Sequence, residues 1–96
     1  MDKKAYQEQM EAQLKEWKAD LDKLKAQAEK KSAESKISYH EKSKELEQRL
    51  DETRKKLSAL KETSNQTWDE VKNQFENRKD DFKKQFDDFV SSLRNS

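Results

Sequence analysis

A single row of large apolar residues follows almost the whole chain at steps of three or four positions. The row begins at Tyr6 and ends at Leu93, and its mean spacing is close to the 3.6 residues of one helical turn. Every leucine, phenylalanine and tryptophan lies on it, whereas Ile37 and Val90 lie beside it. A β-strand would need apolar residues at every second position, and this alternation is absent. The spacing therefore predicts an all-α protein made of long amphipathic helices.

Composition sets the width of the surface that these helices can bury. Charged residues make up 45% of the 96 residues and hydrophobic residues only 29%, which is enough for a narrow apolar seam. The chain has no Gly, Pro or Cys. Disulfide scaffolds, zinc fingers and glycine-rich phosphate loops are therefore excluded. We expect a protein that is not an enzyme and has no catalytic, cofactor-binding or metal-binding residues.

Two segments are candidates for helix breaks. Residues 61–70 are rich in Thr, Ser and Asn, which favour helix ends, and the run from Thr67 to Glu70 is typical of a capping box. Residues 31–40 contain three serines and a β-branched isoleucine, which is a weaker signal. We place one break near residues 62–67, between a helix of about 2–62 and a helix of about 67–94.

This single break predicts one elongated helical unit over residues 1–96, as a coiled-coil-like hairpin or rod. Two alternatives stay open. Breaks in both segments would give three helices of similar length, which suits a three-helix bundle, although the middle helix offers a narrow seam for that packing. No break would give a single rod of roughly 140 Å.

The apolar row is the candidate functional surface, because a helix with this seam is stable only when the seam is covered. We predict that it forms a helix–helix interface. The predicted interface residues are Leu14, Trp17, Leu21, Leu24, Leu46, Leu50, Leu57, Leu60, Trp68, Val71, Phe75, Phe82, Phe86, Phe89 and Leu93. The expected function is that of a structural or adaptor protein, which forms a homo-oligomer or binds a partner helix.

The alternative function is reversible binding to a lipid surface through residues 67–94. This segment combines a tryptophan and four phenylalanines on one face, as interfacial helices do. Its charges are balanced, with seven acidic and six basic residues, so anionic lipids would attract it little.

Other ligands are not expected. The basic residues between Lys30 and Lys61 are interleaved with acids, unlike the clustered basic face of a nucleic-acid-binding protein. His40 is the only histidine and has a poor set of neighbours for a metal site. The acid pairs Asp80–Asp81 and Asp87–Asp88 lie beside lysines on an open helix, where no dry cleft would tune their pKa. We therefore expect no small-molecule substrate.

The expected location is cytoplasmic. The basic start of the sequence, residues 1–4, is followed by polar residues instead of the apolar segment of a secretory signal. The longest uninterrupted run of large apolar residues is Phe89-Val90, too short to span a bilayer.

Three stretches of sequence resemble a group of short bacterial proteins described as coiled-coil domain-containing proteins. They are residues 14–17 (LKEW), residues 21–30 (LDKLKAQAEK) and residues 68–72 (WDEVK). The resemblance implies a bacterial helical scaffold and transfers no functional residues. This chain departs from the group at Thr67 and Phe75, because the group often has Ala or Gly in this region.

Overall fold

The computed structural model describes residues 3–95 as three α-helices. They are α1 (Lys3–Ala28), α2 (Ala33–Lys61) and α3 (Trp68–Arg94), with 26, 29 and 27 residues. The all-α prediction is confirmed, as is the break near residues 62–67, which separates α2 from α3. The predicted ends of the unit, at residues 1, 2 and 96, lie outside the described residues.

The predicted helix of about 2–62 is two helices, with a short connection at residues 29–32. Burial explains this second break. An unbroken helix of that length would be covered by α3 along only about half of its seam, whereas three helices of similar length cover one another from end to end. The turn costs a few backbone hydrogen bonds. The large side chains that become covered stabilise the bundle by more than those bonds did.

Each connection ends with a residue that favours helix starts. Ser32 is the N-cap of α2, and its hydroxyl accepts a hydrogen bond of 3.5 Å from the backbone nitrogen of Ser35. Thr67 occupies the N-cap position of α3, as predicted, but makes no side-chain capping bond. Its hydroxyl lies 3.3 Å from that of Ser64 instead.

The helices run alternately up and down. Glu11 near the start of α1 pairs with Lys61 at the end of α2, so these two helices are antiparallel. Likewise Tyr39 near the start of α2 donates a 2.9 Å hydrogen bond to the carbonyl of Ser92 near the end of α3. As a result α1 and α3 are parallel, in an elongated bundle of 51 × 18 × 18 Å.

The core is one continuous cluster along the bundle axis. Helix α2 contributes residues at strict heptad spacing from Tyr39 to Leu60, and this narrow seam is sufficient because two of its positions are small. Those positions are Ser43 and Thr53, whose hydroxyls bond to the carbonyls of His40 and Arg49 in their own helix. Small residues let α2 approach both neighbours closely.

None of the helices between residues 3 and 95 combines the length and the apolar content that a bilayer span requires.

Candidate functional site

The fifteen predicted interface residues come together inside one chain. Eleven of them are buried, and the other four, Leu24, Trp68, Val71 and Phe86, are partly buried against the same core. The row is therefore covered by the protein's own helices. Whether these residues also bind another chain stays a prediction.

The interface between α1 and α3 differs from the two interfaces of α2. These parallel helices approach each other less closely than either approaches α2. Aromatic rings bridge the wider gap: the centroid of Trp17 lies 5.1 Å from that of Phe82, and Tyr6 makes edge-to-face contacts with Trp68 at 6.0 Å and Phe75 at 6.3 Å. Rings of this size fill a space that leucines would leave empty.

Partly exposed apolar residues concentrate on the same two helices. The apolar residues that pack against the core without full burial are Met10, Leu24, Trp68, Val71 and Phe86. All five belong to α1 or α3, whereas every leucine of α2 is buried. The α1–α3 interface is thus the least completely closed part of the core.

A polar cluster covers one end of this interface. The Tyr6 hydroxyl donates a hydrogen bond to the Glu76 carboxylate, which also pairs with Lys79 at 2.7 Å. The Lys72 ammonium lies 4.9 Å from the centroid of the Tyr6 ring, and that of Lys3 lies 5.0 Å from the Trp68 ring. These cation–π contacts hold lysine stems across the rings.

Ionisation within the cluster follows from its burial. Burial raises the pKa of Tyr6, and the neighbouring Glu76 carboxylate raises it further. Burial alone would raise the pKa of Glu76, but the hydrogen bonds from Lys79 and Tyr6 outweigh it and lower that pKa. Glu76 is therefore held as a carboxylate across the α1–α3 interface.

Ion pairs join α2 to both of its neighbours. On the α3 side, Arg49 contacts Asp81 at 2.9 Å, and Glu52 accepts a 3.2 Å hydrogen bond from Arg78. On the α1 side, Lys25 pairs with Glu47, which raises the pKa of Lys25. These pairs are exposed and each stabilises the fold little, but together they fix the register of α2.

A groove of about 580 Å³ lies between α1 and α2. Its polar rim consists of Glu11, Lys15, Lys18, Asp51, Arg54, Lys55, Ser58 and Lys61. Two of its cations are paired within it, Lys61 with Glu11 and Lys55 with Asp51. Its floor is Leu14 and Leu57, both almost fully buried, so the groove offers a partner little apolar surface.

The residues considered for catalysis or metal binding are all on the surface. His40 is exposed, and so are the acid pairs at 80–81 and 87–88. Within the described range 3–95, no group of three or more His, Cys, Asp or Glu side chains is arranged to hold a metal ion.

Sequence reasoning did not find the polar cluster. Tyr6 and Glu76 are 70 positions apart, and nothing in the spacing of either helix indicates that they meet. The only signal available was that Tyr6 lies on the apolar row, where its hydroxyl needs a partner once the ring is buried.

Comparison of the chain with models of protein families, with curated proteins and with solved structures finds no match.

Proposed function

We propose that this chain is a non-enzymatic structural or adaptor protein that binds a helix by exchange. In this mode an incoming amphipathic helix takes the place of α1 on the hairpin formed by α2 and α3. The observation that carries the proposal is the incomplete closure of the α1–α3 interface, where the helices are farthest apart and partly exposed apolar side chains collect.

Exchange follows from the way the apolar row is covered. Since the core residues of all three helices are already buried, a partner that uses the same row must displace one helix. Helix α1 packs least closely on the other two helices, because α2 and α3 approach each other most closely and share Arg49–Asp81, Glu52–Arg78 and the Tyr39–Ser92 hydrogen bond. A partner would replace the polar contacts of α1, among them Glu11–Lys61, Lys25–Glu47 and Tyr6–Glu76. The proposed partner surface is therefore the face of the α2–α3 hairpin that α1 covers.

The face of the α2–α3 hairpin that α1 covers determines which apolar residues a partner helix must have. Helix α1 buries Tyr6, Leu14, Trp17, Leu21 and Ala28 along about seven helical turns. At roughly 1.5–3 kcal/mol for each large side chain, only a helix with a comparable heptad row would compete. The resemblance to coiled-coil scaffold proteins agrees with such a helical partner.

A peptide of residues 3–28, labelled with a fluorophore, tests exchange in the full chain. We expect its fluorescence anisotropy to rise as the full chain is added, slowly, because α1 must first leave. The matched control is the same peptide with Leu14→Asp and Leu21→Asp, which keeps its length and removes its seam. Unchanged anisotropy for the unmodified peptide, up to its solubility limit, would contradict the proposal.

A second candidate is reversible binding to a lipid surface through residues 67–94. The observation in its favour is that α3 places Phe75, Phe82, Phe86 and Phe89 in or beside the core, with Trp68 at its start. Departure of α1 would uncover the rings that pack on it, which are those of Trp68, Phe75 and Phe82, and would offer them to a lipid surface.

Vesicles of a zwitterionic lipid test this candidate, because the charges of the segment are balanced. In a Trp17→Phe variant, the fluorescence reports on Trp68 alone. A blue shift on addition of vesicles would support lipid binding, and an unchanged spectrum would leave helix exchange as the function.

A further inference from the structure

The connection between α1 and α2 is built from residues that also form helices. It consists of Glu29, Lys30, Lys31 and Ser32, of which the first three have high helix propensity. None of the residues 3–95 adopts a positive φ angle, so no left-handed position holds the turn. The connection between α2 and α3 is different, because residues 62–67 include Thr, Ser and Asn, which favour helix ends.

The apolar row keeps its phase through the first connection and loses it through the second. Ala28 and Tyr39 are eleven residues apart, so in a continuous helix they would lie about 20° from each other around the axis. Leu60 and Trp68 are eight residues apart, and a continuous helix would separate them by about 80°. Only α1 and α2 can therefore merge into one helix with an unbroken seam.

Exposed contacts hold the first connection in its turn, among them the bond between the Ser32 and Ser35 hydroxyls. Straightening would break the hydrogen bond from Ser35 to the Ser32 hydroxyl and the exposed ion pair between Glu29 and Lys36, 2.9 Å long. In return, backbone groups of the turn would gain helical hydrogen bonds. The second connection is held by the bond from Thr63 to the Ala59 carbonyl and by that from Lys3 to Asn65, which ties it to α1.

We propose that two copies of this chain exchange α1 by straightening residues 29–32. Each copy would then contain one helix over residues 3–61, about 90 Å long, and its α1 would pack on the α2–α3 hairpin of the other copy. Every contact within the core is kept, now between chains. This inference depends on the proposed function, since it names a second copy as the source of the exchanged helix.

Residues at the crossing of the two long helices fit this arrangement. Ser32 and Ser35 take the seam positions between Ala28 and Tyr39, and small side chains let the two helices approach there.

The mass in solution, measured by light scattering over a dilution series, tests the exchange. For the unmodified chain we expect a dimer of twice 11.5 kDa whose fraction rises with concentration. Ser32→Ala removes the cap from the turn in both copies and should strengthen the dimer by about thirtyfold. Ser38→Ala is the matched control, because Ser38 is exposed inside α2, and it should leave the dimer unchanged.

Ala33→Pro should favour the monomer over the exchanged dimer, which is the opposite of the effect expected from Ser32→Ala. Ala33 is the first residue of α2, where proline is tolerated, and Ser32 already has the extended backbone that a following proline requires. Inside a continuous helix the same proline is strongly unfavourable. The variant should therefore fold as a monomer, with the dimer weakened at least a thousandfold, that is by at least ~4 kcal/mol.

Cross-linking tells exchange from side-by-side association. Glu11 of α1 and Lys61 of α2 are in contact, so chains with Glu11→Cys and chains with Lys61→Cys are refolded together and oxidised. Exchange places one cysteine against the other and gives a covalent heterodimer. Pairing Glu11→Cys with Lys44→Cys, an exposed position on α2 that lies 17 residues before Lys61 and outside the groove of Glu11, is the control. A single chain with both Glu11→Cys and Lys61→Cys should be locked as a monomer.

The outcomes separate this inference from the function on which it depends. A monomer at every concentration for both the unmodified chain and Ser32→Ala overturns the exchange, and so does a dimer that gives no more cross-linking than the control. If the labelled α1 peptide still binds in either case, helix exchange as a function stands and only the straightened dimer is lost.

Discussion

The two interfaces of α2 and the interface between α1 and α3 are closed in different ways. Helix α2 approaches its neighbours closely, with leucines and the small residues Ser43 and Thr53 in its seam and ion pairs along its edges. Helices α1 and α3 stand farther apart and are joined by aromatic rings and one polar cluster. The contrast shows how a chain with few apolar residues completes a core: one helix packs closely, and large side chains of the other two fill what remains.

The largest effect is expected from charges placed in the seam of α2. In the double variant Leu57→Asp, Leu60→Asp, two carboxylates would enter positions that are 3% and 0% exposed. Burial of unpaired charges costs more than the whole stability of a typical small domain, so the helices should separate and unfold. Circular dichroism checks this, with Ser58→Asp, Ala59→Asp on the exposed face of the same turn as the control. A fully helical double variant would show that the seam does not hold the bundle together.

The next largest effect concerns the ring-filled interface. Phe82 is fully buried between Trp17 and Phe86, so Phe82→Ala should lower the free energy of unfolding by about 3–5 kcal/mol. Phe82→Leu keeps an apolar side chain but not a ring, and we expect an intermediate loss. Urea denaturation measures both. Equal stability of the leucine variant and the unmodified chain would mean that the interface does not need rings.

The two connections between helices show how much of the fold could be predicted from the sequence. The break at residues 62–67 was predictable, because several residues there favour helix ends and the run from Thr67 to Glu70 is typical of a capping box. The break at residues 29–32, and with it the observed three-helix arrangement, had only the weaker signal of the serines in residues 31–40. The row passes through this break in phase, and most of its residues are helix formers. That turn forms only because folding back covers more of the seam, which is a property of the whole bundle and not of the local sequence.

The members of the core were likewise predictable, since every predicted interface residue lies in or beside it. The partners of those residues were not. Heptad spacing tells which face of a helix is buried, but not which neighbour covers it, so the meeting of Tyr6 with Glu76 had no sequence signal.

A smaller effect is expected from a larger side chain at position 53 in the seam of α2. Thr53 is 1% exposed and lies on the side of α2 that faces α3, because Arg49 and Lys56, one turn away in each direction, both contact α3. Thr53→Leu would push these closely packed helices apart and should cost about 1–3 kcal/mol. Thr53→Val, which keeps the size of the side chain, is the control for volume. If the leucine variant is as stable as the valine variant, then the close approach of α2 does not depend on its small residues.

The smallest effect is the pH dependence that Glu76 contributes at the α1–α3 interface. The pKa of Glu76 is lowered in the folded chain, so its carboxylate stabilises the fold above the ordinary pKa of a glutamate, about 4.3, and this contribution is lost as the pH falls through the lowered value. Glu76→Gln should therefore cost about 1 kcal/mol at pH 7 and less at pH 3.

The measurement is urea denaturation of Glu76→Gln and the unmodified chain at both pH values. Glu45→Gln is the matched control, because Glu45 pairs at 3.2 Å with Arg49 of its own helix α2 and lies away from the α1–α3 interface. A carboxylate on an exposed helical pair contributes only a few tenths of a kcal/mol, so this control should show little change with pH. Equal pH dependence of the two variants would mean that Glu76 acts as an ordinary surface acid, and that the aromatic rings alone join α1 to α3.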